Sequence, residues 1–108
     1  MNQALHLADR IMATETDEHF YERADAHIHL ANDHLKGVDR GKVSASFLYA
    51  AARFNVHIAA CSRDSRERFA SERAGIRDYY VAQYTRMLEE HLDDYLRNFD
   101  RYMSKVPR

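Results

Sequence analysis

The chain has 108 residues and a formal net charge of −1, with 45% hydrophobic and 31% charged residues. This composition is typical of a single soluble domain over 1–108, and it excludes a disordered chain. Three glycines and one proline, Pro107, are too few for the many turns of a strand-rich fold, so the sequence predicts an all-α protein.

Charge and hydropathy patterning exclude two further classes of protein. There is no basic stripe and the isoelectric point is about 6.6, so we expect no nucleic-acid partner. No uncharged apolar run approaches the roughly 20 residues that span a bilayer, and residues 1–13 do not resemble a secretory signal. We therefore expect a cytoplasmic protein that has no membrane partner.

The first three predicted helices differ in character. Segment 1–13 carries a short apolar stripe and must dock or fray. The second helix, 17–36, follows a plausible N-cap at Thr16 and has apolar residues at helical spacing, and Gly37 ends it. The third helix, 42–62, has apolar residues on all sides, which predicts a central helix packed by neighbours on more than one face.

The fourth predicted helix, 64–104, is the longest. It opens on an approximate capping box at Asp64–Glu67, and Gly75 is its one weak point. At 1.5 Å per residue it is roughly 60 Å long, about twice the third helix, so its second half overhangs. Its apolar stripe recurs every three or four residues through Ile76, Tyr80, Tyr84, Leu88, Leu92, Tyr95, Phe99 and Tyr102.

Three sequence blocks carry a resemblance. They are Phe20–Asp25 (FYERAD), Val43–Asn55 (VSASFLYAAARFN) and Met87–Tyr95 (MLEEHLDDY). These blocks resemble a family of small proteobacterial all-helical proteins catalogued as a domain of unknown function, and the resemblance covers roughly 20–103. It implies a helical fold and a bacterial, intracellular setting, and it implies no catalytic residues.

The short turn between the second and third helices predicts an antiparallel helical hairpin. With the turn centred near Asp39, Asp25 faces Arg53 across the hairpin. Arg53 lies among small apolar residues, so its guanidinium needs a partner or a route to water. The sequence therefore predicts an interhelical ion pair between Asp25 and Arg53, with Glu22 as the second candidate partner.

The overhanging half of the fourth helix predicts self-association. A long exposed apolar stripe is unfavourable in water, and segment 1–13, a fold-back at Gly75 or a second copy of the chain would cover it. We favour a homodimer that completes the helical bundle, with a further protein partner as an open alternative. The predicted interface residues are Tyr80, Leu88, Leu92, Tyr95 and Phe99.

The seven histidines do not predict a metal centre. Neither Glu-x-x-His nor His-Glu-x-x-His occurs in the sequence. One set with helical alignment, Asp25, His29 and Asp33 with Glu22 nearby, is more typical of a solvated polar face than of a metal site. We expect no metal and no cofactor.

The alternative function is a small-molecule or anion-binding protein, or an enzyme, with a pocket around Arg53, Asn55 and His57. Arg53 would bind an anion such as a carboxylate, and His57 is the best candidate for proton transfer. Cys61, the one cysteine, is expected to be a small buried residue without a nearby base. No catalytic set is evident, so the interaction role is favoured over an enzyme.

Overall fold

Every regular element in the described part of the chain is a helix. The computed structural model describes residues 16–107, and the predicted helix at 1–13 therefore lies outside the described residues. The all-α prediction is confirmed, and none of the described helices is both long and apolar enough to cross a bilayer. The helices are α1 (Phe20–His34), α2 (Arg40–Cys61), α3 (Arg66–Ser71), α4 (Arg73–Arg97) and α5 (Phe99–Met103).

The described residues divide into two compact units. The first unit, 16–73, contains α1, α2 and α3. The second unit, 74–107, contains α5 and all of α4 except its first residue. Each unit has its own set of hydrogen bonds and ion pairs.

Asp17 organises the turn that leads into α1. Its carboxylate accepts a hydrogen bond from the backbone N–H of His19 at 2.8 Å, and Arg23 donates to both of its oxygens at 2.7 and 3.3 Å. These bonds lower the pKa of Asp17, and the bond from Arg23 contributes most. Because the turn occupies these residues, α1 begins at Phe20, three residues after the predicted start.

α2 is long and poorly covered by the rest of the described chain. It contacts α1, and it begins after Asp39, whose carbonyl accepts the backbone N–H groups of Lys42 and Val43 at 3.1 Å. Among residues 16–107, the buried hydrophobic residues are Val43 and Ala59, near the two ends of α2. The predicted packing of α2 on several faces is therefore not supplied by described residues of the same chain. The antiparallel hairpin stays a prediction.

Two arginines and one glutamate hold the corner between α2 and α3. Arg63 and Arg68 each donate from Nε to the carboxylate of Glu72 at 2.8 Å. Arg63 also donates to the carbonyl of Ala59 at 3.1 Å, in the last turn of α2. The corner therefore ties the end of α2 to the C-terminal end of α3.

The cap of α3 lies one residue after the predicted one. Ser65 has extended backbone, and its Oγ accepts the backbone N–H of Arg68 at 3.1 Å. A serine or threonine hydroxyl is a strong N-cap because it satisfies an N–H that has no partner within the helix. Ser65, and not Asp64, therefore starts the helix.

The predicted single helix over 64–104 is interrupted twice. The first interruption is Glu72, whose side chain is held by the corner. The second is Asn98, whose amide donates to the carbonyl oxygen and to the carboxylate of Asp94, both at 3.0 Å. Such local side-chain bonds compete with the regular helix. Gly75 lies inside α4 and does not interrupt it.

Replacement of Glu72 by Gln tests the corner. The bonds from Arg68 and then Arg63 lower the pKa of Glu72 below its ordinary value of 4.5. Folding therefore gains stability from the ionised carboxylate above pH 4.5, and this gain is lost as the pH falls through the lower, folded-state pKa. We expect Glu72→Gln to lower the midpoint of thermal unfolding at pH 7, and the difference from wild type to shrink as the pH falls below 4.5.

Glu67→Gln is the matched control for this measurement. Glu67 is an exposed carboxylate in the first turn of α3, and it forms no ion pair with the described residues. We expect Glu67→Gln to keep most of the acid-dependent loss of stability that wild type shows when unfolding is followed by circular dichroism. Parallel pH profiles for wild type and Glu72→Gln would contradict the role assigned to the corner.

Candidate functional site

A row of exposed apolar side chains runs along the second unit. Successive members are four, four, three and four residues apart, which keeps them on one side of a helix with 3.6 residues per turn. The exposed fractions are 43% for Leu88 and 59% for Leu92. This feature, called the stripe below, consists of Tyr84, Leu88, Leu92, Tyr95 and Phe99.

Contacts within the unit hold the C-terminal end of the stripe. The ring of Tyr102 lies 4.6 Å from the ring of Tyr95, centroid to centroid, and its hydroxyl donates to Asp94 Oδ2 at 2.9 Å. Both contacts span the interruption at Asn98. α5 therefore continues the same side of α4, and Phe99 stays in line with the stripe.

One residue of the predicted interface differs from the other four in burial. Tyr80 is half-buried, while the other four predicted interface residues are exposed. At 3.6 residues per turn, Tyr80 lies about 40° around the helix from Tyr84, at the edge of the stripe, and its place in the interface stays a prediction. Tyr84 occupies the aligned position and is 51% exposed. Its spacing of four from Leu88 was the signal that identifies it.

The first unit contains an open groove of about 890 Å³ along α2. Its two basic side chains, Arg53 and His57, are one helical turn apart, and none of its lining residues is acidic. Phe69 of α3 lines the groove from the other side of the corner. This feature, called the groove below, is otherwise lined by Tyr49, Phe54 and Val56 and by three alanines, Ala50, Ala52 and Ala60.

The groove contains two of the three residues of the predicted pocket. Arg53 and His57 line it, whereas Asn55 does not. Asn55 is two positions from Arg53, which places it about 200° around the helix, and it is half-buried there. The spacing of four therefore joins Arg53 to His57, and the spacing of two separates Asn55 from both.

The structure places Asp25 and Arg53 on different elements without joining them. Both residues are exposed, and no ion pair or hydrogen bond between them occurs among the described residues. Arg53 instead reaches water along the apolar groove, as long basic side chains commonly do. The Asp25–Arg53 pair stays a prediction.

The polar face of α1 was the alternative place for a metal ion. Asp25, His29 and Asp33 are all exposed there. Within residues 16–107, no group of three His, Cys, Asp or Glu side chains is arranged to hold a metal ion.

Cys61 has an environment that the sequence analysis did not predict. The residue is exposed, and its Sγ lies 3.6 Å from His57 Nε2. The expectation of a buried cysteine without a nearby base is therefore wrong. Because the two residues are four apart on one helix, their spacing was a signal of this contact.

A comparison with protein families identifies the family of this chain. A family model described as a protein of unknown function, DUF3144, matches residues 20–96. The chain belongs to the DUF3144 family. This confirms the predicted membership of a family of unknown function, while the proteobacterial range stays a prediction. No curated protein and no solved structure matches the sequence significantly. The DUF3144 region includes the whole groove and the stripe as far as Tyr95.

The exposure of Cys61 is directly measurable in this DUF3144 protein. We expect Ellman's reagent to titrate one thiol per chain within minutes without denaturant, because an exposed thiol reacts through its accessible thiolate. Cys61→Ser should give no signal. A thiol that reacts only after addition of guanidinium would contradict the exposed position.

Proposed function

We propose that the protein is a self-associating, non-enzymatic interaction module whose homodimer forms through the stripe. The observation that supports this is that few hydrophobic side chains are buried while many remain exposed. Val43 and Ala59 are the buried hydrophobic residues of the described chain, while each member of the stripe leaves about half of its surface in water. The bacterial and cytoplasmic setting expected from the sequence belongs to the same proposal.

Side-chain chemistry favours the stripe as an interface. Three of its five residues are aromatic, and aromatic rings contribute a large contact area with few rotatable bonds. The two tyrosines can bury their rings while their hydroxyl groups remain hydrated, which is one reason why tyrosine is enriched at interfaces. A further protein partner with an apolar helix would use the same surface.

The hydrophobic free energy that the stripes can contribute limits how tightly they hold two copies together. Full burial of such side chains is worth roughly 1.5–3 kcal/mol each, and about half of each is already covered. Two stripes together therefore contribute on the order of 10 kcal/mol. Association costs about 4–15 kcal/mol, so the stripes alone support weak association and additional surface must contribute to a stable dimer.

Leu92→Asp tests the proposed interface. Leu92 lies at the centre of the stripe, and burial of an unpaired carboxylate there is strongly unfavourable. We expect the variant to raise the dimer dissociation constant at least tenfold. Sedimentation velocity at micromolar concentration should then show a monomer near 12.7 kDa, where wild type shows a dimer.

Arg97→Asp is the matched control on the same helix. Arg97 is exposed and lies about 140° around α4 from Leu92, away from the stripe. This variant should keep the wild-type mass. A wild-type protein that remains strictly monomeric at 100 micromolar would contradict self-association itself.

A second candidate function is binding of a small organic anion in the groove. The observation that favours it is the placement of Arg53 and His57 on an apolar surface that has no acidic lining residue. A guanidinium at an apolar site suits a planar carboxylate, which accepts two parallel hydrogen bonds. Asn55 is not required for this version of the site.

Benzoate and its uncharged amide, benzamide, separate this function from simple hydrophobic binding. We expect benzoate, but not benzamide, to raise the midpoint of thermal unfolding if the groove binds carboxylates. Arg53→Ala should abolish the shift, and Arg53→Lys should retain only part of it because lysine lacks the planar fork. Equal shifts with both compounds, or a shift that survives in Arg53→Ala, would exclude this function.

A further inference from the structure

The groove and the helix that contains it have an unbalanced charge. Arg53 lines the groove, and no aspartate or glutamate occurs between the first and last residues of α2. Arg53 forms no ion pair with any described residue, and it lies beside exposed aromatic rings, with Tyr49 71% exposed. The groove is therefore an apolar surface with an unmatched positive charge.

The stripe has the opposite imbalance. Glu89 and Asp93 follow Leu88 and Leu92 directly in the sequence, and both are exposed without an ion pair among the described residues. Glu89 is the nearer of the two, about 60° around the helix from Leu92. The stripe is therefore an apolar surface with an unmatched negative charge along one edge.

We propose that the groove of one copy receives the stripe of a second copy, with Arg53 of one chain paired to Glu89 of the other. This inference rests on the self-association proposed above and names the surface against which the stripe packs. A second copy fits because both surfaces are exposed in one chain and carry complementary charges. Complementary charges also fix the register of two packed surfaces.

The dimensions of the two surfaces agree. The groove extends from Tyr49 to Ala60 and the aligned part of the stripe in α4 from Tyr84 to Tyr95, twelve residues in each case. Both are therefore about 17 Å long at 1.5 Å per residue. Small alanines along the groove leave room for the aromatic and leucine side chains of the stripe.

Symmetry doubles this contact. In a two-fold dimer each copy contributes one groove and one stripe, so the same contact forms twice. Given exposed fractions near one half and about 150–250 Å² per aromatic side chain, the four surfaces together bury roughly 1,500 Å². This lies within the range of about 1,200–2,000 Å² that specific, stable complexes bury. The groove thus supplies the additional area that the stripes alone lack.

Charge reversal on separate chains tests the pairing. In an Arg53→Glu homodimer both contacts bring two carboxylates together, and in a Glu89→Arg homodimer both bring two guanidinium groups together. We expect each variant alone to raise the dimer dissociation constant at least tenfold. An equimolar mixture should return to within about threefold of wild type, because the mixed dimer has one native pair and one reversed pair.

The mixture also distinguishes pairing between chains from pairing within a chain. Recovery in the mixture supports the inference. Recovery in the Arg53→Glu/Glu89→Arg double variant without recovery in the mixture would overturn it, because that result requires a pair within one chain. An Arg53→Glu protein that dimerises like wild type would also overturn it, while loss of the dimer in Leu92→Asp would still support the stripe as the interface.

Cross-linking provides a second measurement that does not depend on like-charge repulsion. On a Cys61→Ser background, Arg53→Cys chains are mixed with Glu89→Cys chains and treated with a short bismaleimide. We expect cross-linked heterodimers in the mixture and few cross-linked products from either variant alone. A mixture that yields no cross-linked dimer, although sedimentation shows dimers, would overturn the proposed pairing and leave self-association intact.

Discussion

The chain has more apolar side chains than its described residues bury, and this imbalance determines most of the apolar surface that the structure exposes. α2 has apolar residues on all sides, yet Val43 and Ala59 are the buried hydrophobic residues of the described chain. The hydrophobic effect scales with the apolar area removed from water, so the described residues, which bury so little of that area, gain little stability from a core of their own. The groove and the stripe are two results of this one constraint. If a second copy covers them, folding and association become linked, and measured stability depends on protein concentration.

Carboxylates mark the boundaries of the described helices. Asp17 binds Arg23 and a backbone N–H before α1, Glu72 binds two arginines between α3 and α4, and Asp94 binds Asn98 and Tyr102 before α5. In each case the carboxylate accepts hydrogen bonds from donors that a regular helix would not bring to it. The Asp17–Arg23 pair is exposed, and exposed ion pairs are individually weak. The Arg63–Glu72 pair and the contacts of Asp94 are partly buried. Their role is to determine where helices begin and end, while apolar surface determines what packs together.

Helical periodicity predicted the fold class, the long helices and the alignment of Leu88, Leu92, Tyr95 and Phe99, because all of these depend on residues three or four apart. The interruption at Glu72 depends on Arg63, nine positions away, which no local pattern reveals. Asn55 lies outside the groove because a spacing of two residues rotates a side chain about 200° around a helix. Tyr80 is half-buried, while the other four predicted interface residues are exposed. The apolar run before Cys61 suggested burial, but burial depends on tertiary neighbours that the sequence pattern does not contain.

The aromatic side chains give the molecule an unusual optical property. The chain has seven tyrosines and no tryptophan, so its near-ultraviolet emission comes almost entirely from phenol rings. Tyr84 and Tyr95 belong to the stripe, and the ring of Tyr95 contacts the ring of Tyr102 at a tilt of 52°. The hydroxyl of Tyr102 donates a hydrogen bond to the carboxylate of Asp94. The stripe therefore contains intrinsic tyrosine fluorophores. A change in the hydration of the stripe changes the protein's own fluorescence without any attached label.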